Sequence, residues 1–356
     1  MITTILAFLG VLAVLILAHE LGHFASAKAF GIKVEEFGLG FPPRLIGIRR
    51  GETLYSLNAI PLGGFTKMAG EEDPKVPRSL ASKSIGTRII VLSAGSVMNA
   101  LLPILLFSIA FMVPHNVLIE PTVVQTVSPG SPAALAGITP GDTLLSINGK
   151  AINNFSEFQR YTFLNLGEKT TILVKHSDTT TEEIQLIPRW NPPQDEGAIG
   201  IKRDIEFALA NSTIVRQHKP FWKAIPMGVS ECIKTYILFK NVIISMFIGT
   251  TPATVAGPVG IAQITGEAAR AGISYLLEFA AFFSINLAII NIFPLPALDG
   301  GRIAFVLLEW VRRGKRVSPR IQGMVHTIGF FALIALMVAI TYQDIIRIVA
   351  GESLIP

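Results

Sequence analysis

Four stretches of this chain are long and apolar enough to cross a bilayer, and that narrows its possible folds more than any other feature. A helical span takes about 20 residues, and in hydrocarbon each backbone group must find its partner within the segment. Residues 2–18 and 89–114 carry no charge, 279–298 lie uncharged between Glu278 and Asp299, and 321–343 hold only His326 near their start. Half of the residues are hydrophobic and only 15% are charged, against roughly 25% in an average soluble domain. An ordinary soluble enzyme, a disordered chain and a disulfide scaffold are thereby excluded. The single cysteine, Cys232, has no intramolecular partner. A signal peptide needs a basic start and a small-residue cleavage site. Nothing basic precedes His19, and Ala25-Ser26-Ala27 lies beyond the charged cluster, so the first run reads as a helix of the mature protein.

Lys and Arg set the orientation, because cytoplasmic loops carry their excess. None precedes the first run. Lys28, Lys33, Arg44, Arg49, Arg50, Lys67, Lys75, Arg78, Lys83 and Arg88 follow it, and Arg302, Arg312, Arg313, Lys315, Arg316 and Arg320 separate the third run from the fourth. The net charge of +5 therefore reports topology and an inner membrane face, not a nucleic-acid site. The expected layout is a first transmembrane helix at 1–30, a cytoplasmic loop at 31–87, a second helix at 88–114 and an extracytoplasmic domain at 115–210. An amphipathic membrane-surface region at 211–274, a third helix at 275–299, a basic cytoplasmic loop at 300–320 and a fourth helix at 321–350 complete it.

The middle segment changes character. Val123–Val127 is β-branched, Ala133 to Ala136 suits a short helix closed by Gly137, and Asp142 to Ile147 reads as a strand ended by the Asn148-Gly149 turn. Phe155 to Leu164 reads as a helix, and Thr170 to Lys175 and Thr181 to Ile187 as strands, which makes a small α+β domain. In the first loop, Thr53–Leu57 and Gly63–Met68 read as two short runs joined by turn glycines, a β-hairpin dipping into the membrane. Residues 220–249 are apolar but carry Glu231, Lys234, Asn241 and Ser245 in a line at helical spacing. They fit either a fifth span or an interfacial helix.

The chemistry sits at two span ends. In His19-Glu20-Leu21-Gly22-His23 the two histidines lie one helical turn apart, so both imidazoles can bind one zinc ion. Glu20, about 100° around the helix, can act as general base. Ionisable groups are expensive at the end of a span and read as functional. A zinc hydrolase site keeps three protein ligands and one open position. Asp299, closing Asn291-Ile292-Phe293-Pro294-Leu295-Pro296-Ala297-Leu298-Asp299-Gly300-Gly301, fits as the third; the alternative is a cap for the helix that follows. Pro294 and Pro296 free backbone groups that only a protein-lined cavity tolerates. His19, His23 and Asp299 reach one depth only if both spans run inward, so residues 220–249 cannot cross. Otherwise Asp299 would end about 30 Å away, at the opposite face.

These motifs, in this order and with a domain between spans two and three, resemble the bacterial site-2 proteases of the RseP and RasP kind over essentially the whole chain. The resemblance implies His19, His23 and Asp299 as zinc ligands and Glu20 as the base. It also implies that Asn291 and Pro294 shape the site and contact substrate. The Gly95-x-x-x-Asn99 pattern makes Asn99 a candidate substrate contact, with helix packing as its alternative. Gly130 to Gly149 resembles part of a PDZ domain in a single copy without a Gly-Leu-Gly-Phe loop, and a filter excluding bulky ectodomains is an alternative to peptide binding.

The expected fold is a polytopic α-helical membrane protein with four transmembrane helices, a membrane-associated β-hairpin and an inserted α+β PDZ domain. The expected activity is zinc-dependent hydrolysis of peptide bonds in transmembrane segments, in an inner (cytoplasmic) membrane with the PDZ domain outside. By resemblance, the substrates are pre-cleaved anti-sigma factors and remnant signal peptides. A non-catalytic PDZ adaptor would have no use for Glu20 beside three ligands, and a zinc transporter would need further intramembrane ligands along a path.

Overall fold

The computed structural model describes residues 2–193, 196–250 and 256–350. Among these, residues 2–111, 221–229 and 256–350 form one compact unit, and 112–220 with 230–250 form another.

The uncharged N-terminal run and the His-Glu motif form one continuous helix, α1 (Ile2–Ala29), about 42 Å long at 1.5 Å per residue. Two strands follow, β1 (Val34–Arg50) and β2 (Thr53–Met68), then a second long helix, α2 (Ile85–Met112). Gly22 lets α1 and α2 touch backbone to backbone, since a Cβ there would overlap the Ala94 carbonyl.

The expected hairpin is corrected. The turn is at Gly51-Glu52, with Gly51 at φ +60, and not at Gly63-Gly64. Residues 54–57 and 64–67 do not pair with each other, because both pair with 36–39, one on each side. Bends in β1 and β2 thus fold two strands into a four-stranded ribbon whose outer strands are 44–50 at one edge and 64–68 at the other. Gly64 sits in that strand because it meets α1, where a Cβ would come within 2.7 Å of Ile16 Cγ2 and 3.1 Å of Glu20 Cγ. The Glu52 turn is tied back to the end of α1 by Lys28 at 2.8 Å and to the following loop by Arg78 at 2.6 Å. Hydrogen bonds from Arg78 and then Lys28 hold the Glu52 carboxyl down at about 2.

The inserted unit runs β3 (His115–Ile119), β4 (Thr122–Val127), α3 (Pro132–Leu135), β5 (Thr143–Ile147), β6 (Lys150–Ala151), α4 (Phe155–Leu164), β7 (Thr170–Lys175), β8 (Thr181–Leu186), β9 (Ile201–Arg203), α5 (Ile205–Ala210) and β10 (Thr213–Gln217). Its main sheet has the order β8-β7-β5-β4-β9, with β6 beside β5. Strand residues, among them Val124, Leu144, Ile147, Ile172, Val174 and Ile184, point into a core closed by Phe158 of α4, with a register shift in β5 bringing both Leu144 and Ile147 inward. α4 starts at Asn154, whose side chain accepts from Glu157 N, while Glu157 accepts from Asn153 N at 2.9 Å, a reciprocal cap. The unit outruns its expected end at 210, because β10 pairs antiparallel with β3.

Helix α6 (Phe221–Ile248) divides between the units. The polar line along its later part is covered by protein. Glu231 pairs with Arg160 of α4, Lys234 lies 6.0 Å from the Tyr161 ring, and Asn241 donates to the Phe163 carbonyl at 2.7 Å.

Four helices of the first unit follow: α7 (Pro258–Ala271), α8 (Ile273–Ile292), α9 (Asp299–Val311) and α10 (Pro319–Val349). The expected third span is displaced. Its helix begins at Ile273 and stops at Ile292, because Pro294 and Pro296 cannot continue it, and Asp299 opens the next helix. The expected loop at 300–320 is therefore mostly α9. Among the described residues, four helices are long and apolar enough to cross a membrane: α1, α2, α8 and α10. α7 packs against α1, α8 and α10. The buried Asp344 of α10 accepts from Gly260 N at its first turn, 2.8 Å away.

Candidate metal centre

The site is built where α1, the outer ribbon strand 64–68 and the start of α9 meet. His19 and His23 share one face of α1, with ring centroids 4.8 Å apart. Their Nε2 atoms are 3.2 Å apart, and each is 3.1 Å from the same Asp299 oxygen, Oδ2. His23 holds its ring with Nδ1 against the Val91 carbonyl at 2.8 Å. A carbonyl only accepts, so the ring proton is on Nδ1 and Nε2 presents a lone pair. One nitrogen lone pair and a carboxylate oxygen thus converge with a second imidazole nitrogen on one point. Tetrahedral bonds of about 2.0–2.1 Å place neighbouring ligand atoms about 3.3 Å apart, close to the separations here. Among the described residues these three form the one His/Cys/Asp/Glu group with metal-ligand spacing.

Room for the imidazoles comes from Gly95 of α2. A Cβ there would overlap His23 Nε2 and stand 2.7 Å from His19 Cε1. Asp299 is the first residue of α9, preceded by Leu298 without a side-chain cap. Its carboxylate is turned to the histidines, and the capping alternative is not what the geometry records.

Glu20 does not join this triangle. Thr66 Oγ1 donates to Glu20 Oε2 at 2.8 Å, and Thr66 lies in the outer ribbon strand. A cavity of about 460 Å³ opens here, lined by His19, Glu20, His23, Thr66, Asn291 and Asp299. Asn291 is therefore at the site. Pro294 is not among the residues lining the cavity, and its place is in the turn before Asp299. Asn99 is buried at 1% exposure, also away from the lining, with its side-chain oxygen unpaired among the described residues. Sequence reasoning misses Thr66 and Val91; it puts Thr66 in a hairpin run behind turn glycines, with no tie to Glu20.

The profile of Peptidase family M50 matches residues 7–336. A protein of Clostridium acetobutylicum named as a zinc metalloprotease is 37% identical over 350 residues, which cover 97% of this chain and 97% of that protein. A similarly named protein of Rhizobium meliloti is 31% identical, with 96% of each chain covered. Zinc metalloprotease RasP of Geobacillus kaustophilus is 28% identical over 96% of this chain and 97% of its own. A profile match from the first helix into the last, joined to relatives aligned almost end to end, establishes that this chain belongs to Peptidase family M50.

Proposed function

We propose that the protein is an intramembrane zinc metalloprotease in which His19, His23 and Asp299 hold the metal and Glu20 is the general base. The observation that carries this reading is the convergence of two imidazole Nε2 atoms and one carboxylate oxygen, 3.1–3.2 Å apart, beside a carboxylate that is not part of the triangle. Zinc held there supplies Lewis-acid chemistry, acidifying water and polarising a carbonyl.

The remaining chemistry belongs to the chain. Glu20 takes a proton from the attacking water and gives it to the leaving amine. Thr66 fixes Glu20 through one carboxylate oxygen, and among the described residues no hydrogen bond occupies the other. A helical substrate hides its carbonyls and must unwind first. The outer ribbon strand 64–68 runs beside Glu20, and an unwound segment can add to its edge by backbone hydrogen bonds. Asn291 is positioned to bond a peptide in the cavity, while Pro294 acts through the turn and Asn99 through helix packing.

The substrates we propose are membrane-bound proteins already trimmed by another protease, such as anti-sigma factors, and remnant signal peptides, in regulated intramembrane proteolysis. The enzyme would sit in the cytoplasmic membrane with the inserted unit outside. That unit is PDZ-like. Its apolar cavity of about 280 Å³ between α4 and β9, lined by Phe155, Phe158, Phe163, Gly197, Ile199 and Ile201, suits an extended peptide, and the size-filter reading stands beside it.

The test is Glu20→Gln in the purified protein, with a transmembrane peptide as substrate. We expect zinc content to be kept and turnover to fall by about 10²–10⁴-fold, the usual worth of a general base. A variant retaining a tenth or more of wild-type turnover sinks the assignment of Glu20.

A further inference from the structure

The turn that presents Asp299 has little to hold it in shape. Residues 293–298 join α8 to α9, and Pro294 and Pro296 bring no N–H. The bonds within the turn are Leu295 N to Phe293 O at 2.7 Å and Leu298 N to Leu295 O at 3.3 Å. Ala297 stands at φ +73, a left-handed conformation that a non-glycine residue keeps only where its surroundings impose it.

Those surroundings come from α10. The Ala297 N–H donates to His326 Nδ1 at 2.9 Å. Nδ1 is therefore the acceptor, and the neutral ring carries its proton on Nε2. The same ring meets Phe305 of α9 at 5.5 Å. One helical turn along, Gly329 lies against Pro296, where a Cβ would overlap the proline Cβ and come within 3.0 Å of its carbonyl carbon. Consecutive residues of the turn, Pro296 and Ala297, are thus gripped by residues three apart on one face of α10. Opposite, Gly300 and Gly301 leave no space for a Cβ beneath the Phe293 and Leu295 carbonyls, so the turn has no slack toward α9.

We propose that α10 is a clamp on the metal-ligand turn. His326 is a positioning residue that fixes the Ala297 backbone, Gly329 permits the contact, and together they keep the Asp299 carboxylate 3.1 Å from both imidazoles. The inference rests on Asp299 being a zinc ligand. It extends the metal centre to a helix that contributes no ligand, 27 residues downstream of Asp299 at His326.

The test measures zinc retention against rising chelator concentration, with a melting curve on each sample, in the purified full-length protein. The variants are His326→Leu, His326→Asn, Gly329→Ala and Asp299→Ala. His326→Leu removes the acceptor but keeps bulk, and we expect zinc affinity to fall about 10- to 100-fold, as for residues that orient metal ligands. His326→Asn puts an amide oxygen where Nδ1 was and should restore most of that loss, which a purely space-filling role would not require. Gly329→Ala must push the turn away and should also weaken zinc binding, which serves as the reading if His326→Leu does not fold. Wild-type affinity in His326→Leu or Gly329→Ala, beside its loss in Asp299→Ala, overturns the clamp and leaves the ligand assignment standing. Failure of His326→Asn to recover affinity in a protein that melts like wild type also overturns it. Wild-type affinity in Asp299→Ala removes the ligand assignment and the clamp together.

Discussion

A methyl group at position 95 would strike both imidazoles, and this makes Gly95 as telling about the site as any charged residue. Helix propensity favours alanine over glycine in a helix interior by about 0.5–1 kcal/mol, so Gly95→Ala should not weaken α2 itself. The Cβ would overlap His23 Nε2, and that same ring is pinned through Nδ1 by the Val91 carbonyl. The expected outcome is a protein that still folds, destabilised by no more than the about 1–3 kcal/mol of an overpacked site, yet binds zinc at least about tenfold more weakly, in the range seen when ligand orientation is disturbed. Unchanged zinc content would show that the two rings can yield. At this scale the sequence is unevenly legible. His19 and His23 announce themselves by helical spacing, and Asp299 by ending an apolar run. Thr66 and Val91 carry no such mark, because a threonine hydroxyl and a backbone carbonyl gain meaning only when the fold sets them 46 and 68 residues away against Glu20 and His23. Gly64 is visible as a glycine, but a glycine needed for close approach looks in sequence like one needed for a turn.

Helix α9 is anchored at both ends, by Asp299 at its start and by an ion-pair group near its finish. Glu309 accepts from Arg88 of α2 at 2.6 Å and from Arg316 at 3.0 Å, and Arg316 reaches the Ala81 carbonyl at 2.8 Å. The Arg88 and Glu309 side chains are each 9% exposed. Removing one partner of such a buried pair strands the other charge, at a cost of about 3–5 kcal/mol, whereas replacing both by apolar residues costs far less. Glu309→Met should therefore lower the melting temperature sharply, and the double change with Arg88→Met should recover part of the loss. Additive losses would mean the two residues do not interact. Burial pushes the Glu309 carboxyl up, but the hydrogen bonds from Arg88 and Arg316 outweigh it and the net shift is downward. A carboxyl lowered by folding contributes fully above its ordinary value of about 4.5 and loses that contribution as pH falls through the folded value. The gap between wild type and Glu309→Gln should thus close below pH 4.5. Elements with a strong period or a clear stop were legible: the helix at 155–164 and the strand at 170–175 appear where alternation and turn residues put them. Short strands such as β9, at three residues, carry too little pattern. The double pairing of 36–39 depends on two partners that compete for one strand, which no local pattern reveals.

If His19, His23 and Asp299 hold zinc as proposed, the whole molecule must keep them at one depth while carrying an inserted unit between α2 and α8. Four crossings, with α6 not crossing, satisfy this, and the polar line of α6 engaged by Arg160 and the Phe163 carbonyl is consistent with it. The basic residues clustered in 28–88 and 302–320 then share one face of the membrane. This topology is testable by single cysteines in a Cys232→Ala background, the native thiol being buried. Lys75, Lys315, Asp178 and Asn211 are all exposed in the fold, so their labelling reports access and not burial. Cysteines at Asp178 and Asn211 should react with an impermeant thiol reagent added outside intact cells. Those at Lys75 and Lys315 should react only after the membrane is opened. Labelling of Lys315→Cys from outside would place an even number of crossings between α2 and α9. His19, His23 and Asp299 would then need to meet across about 30 Å of hydrocarbon, which zinc bonds of about 2 Å cannot bridge. With the topology established, removal of 115–217, the inserted strands and helices through β10, tests what the unit is for, because no proposed ligand or base lies within it. Cutting of substrates with bulky outer domains, refused by the intact protein, would support a size filter. Unchanged substrate choice would leave the groove between α4 and β9 as the reason the unit is there.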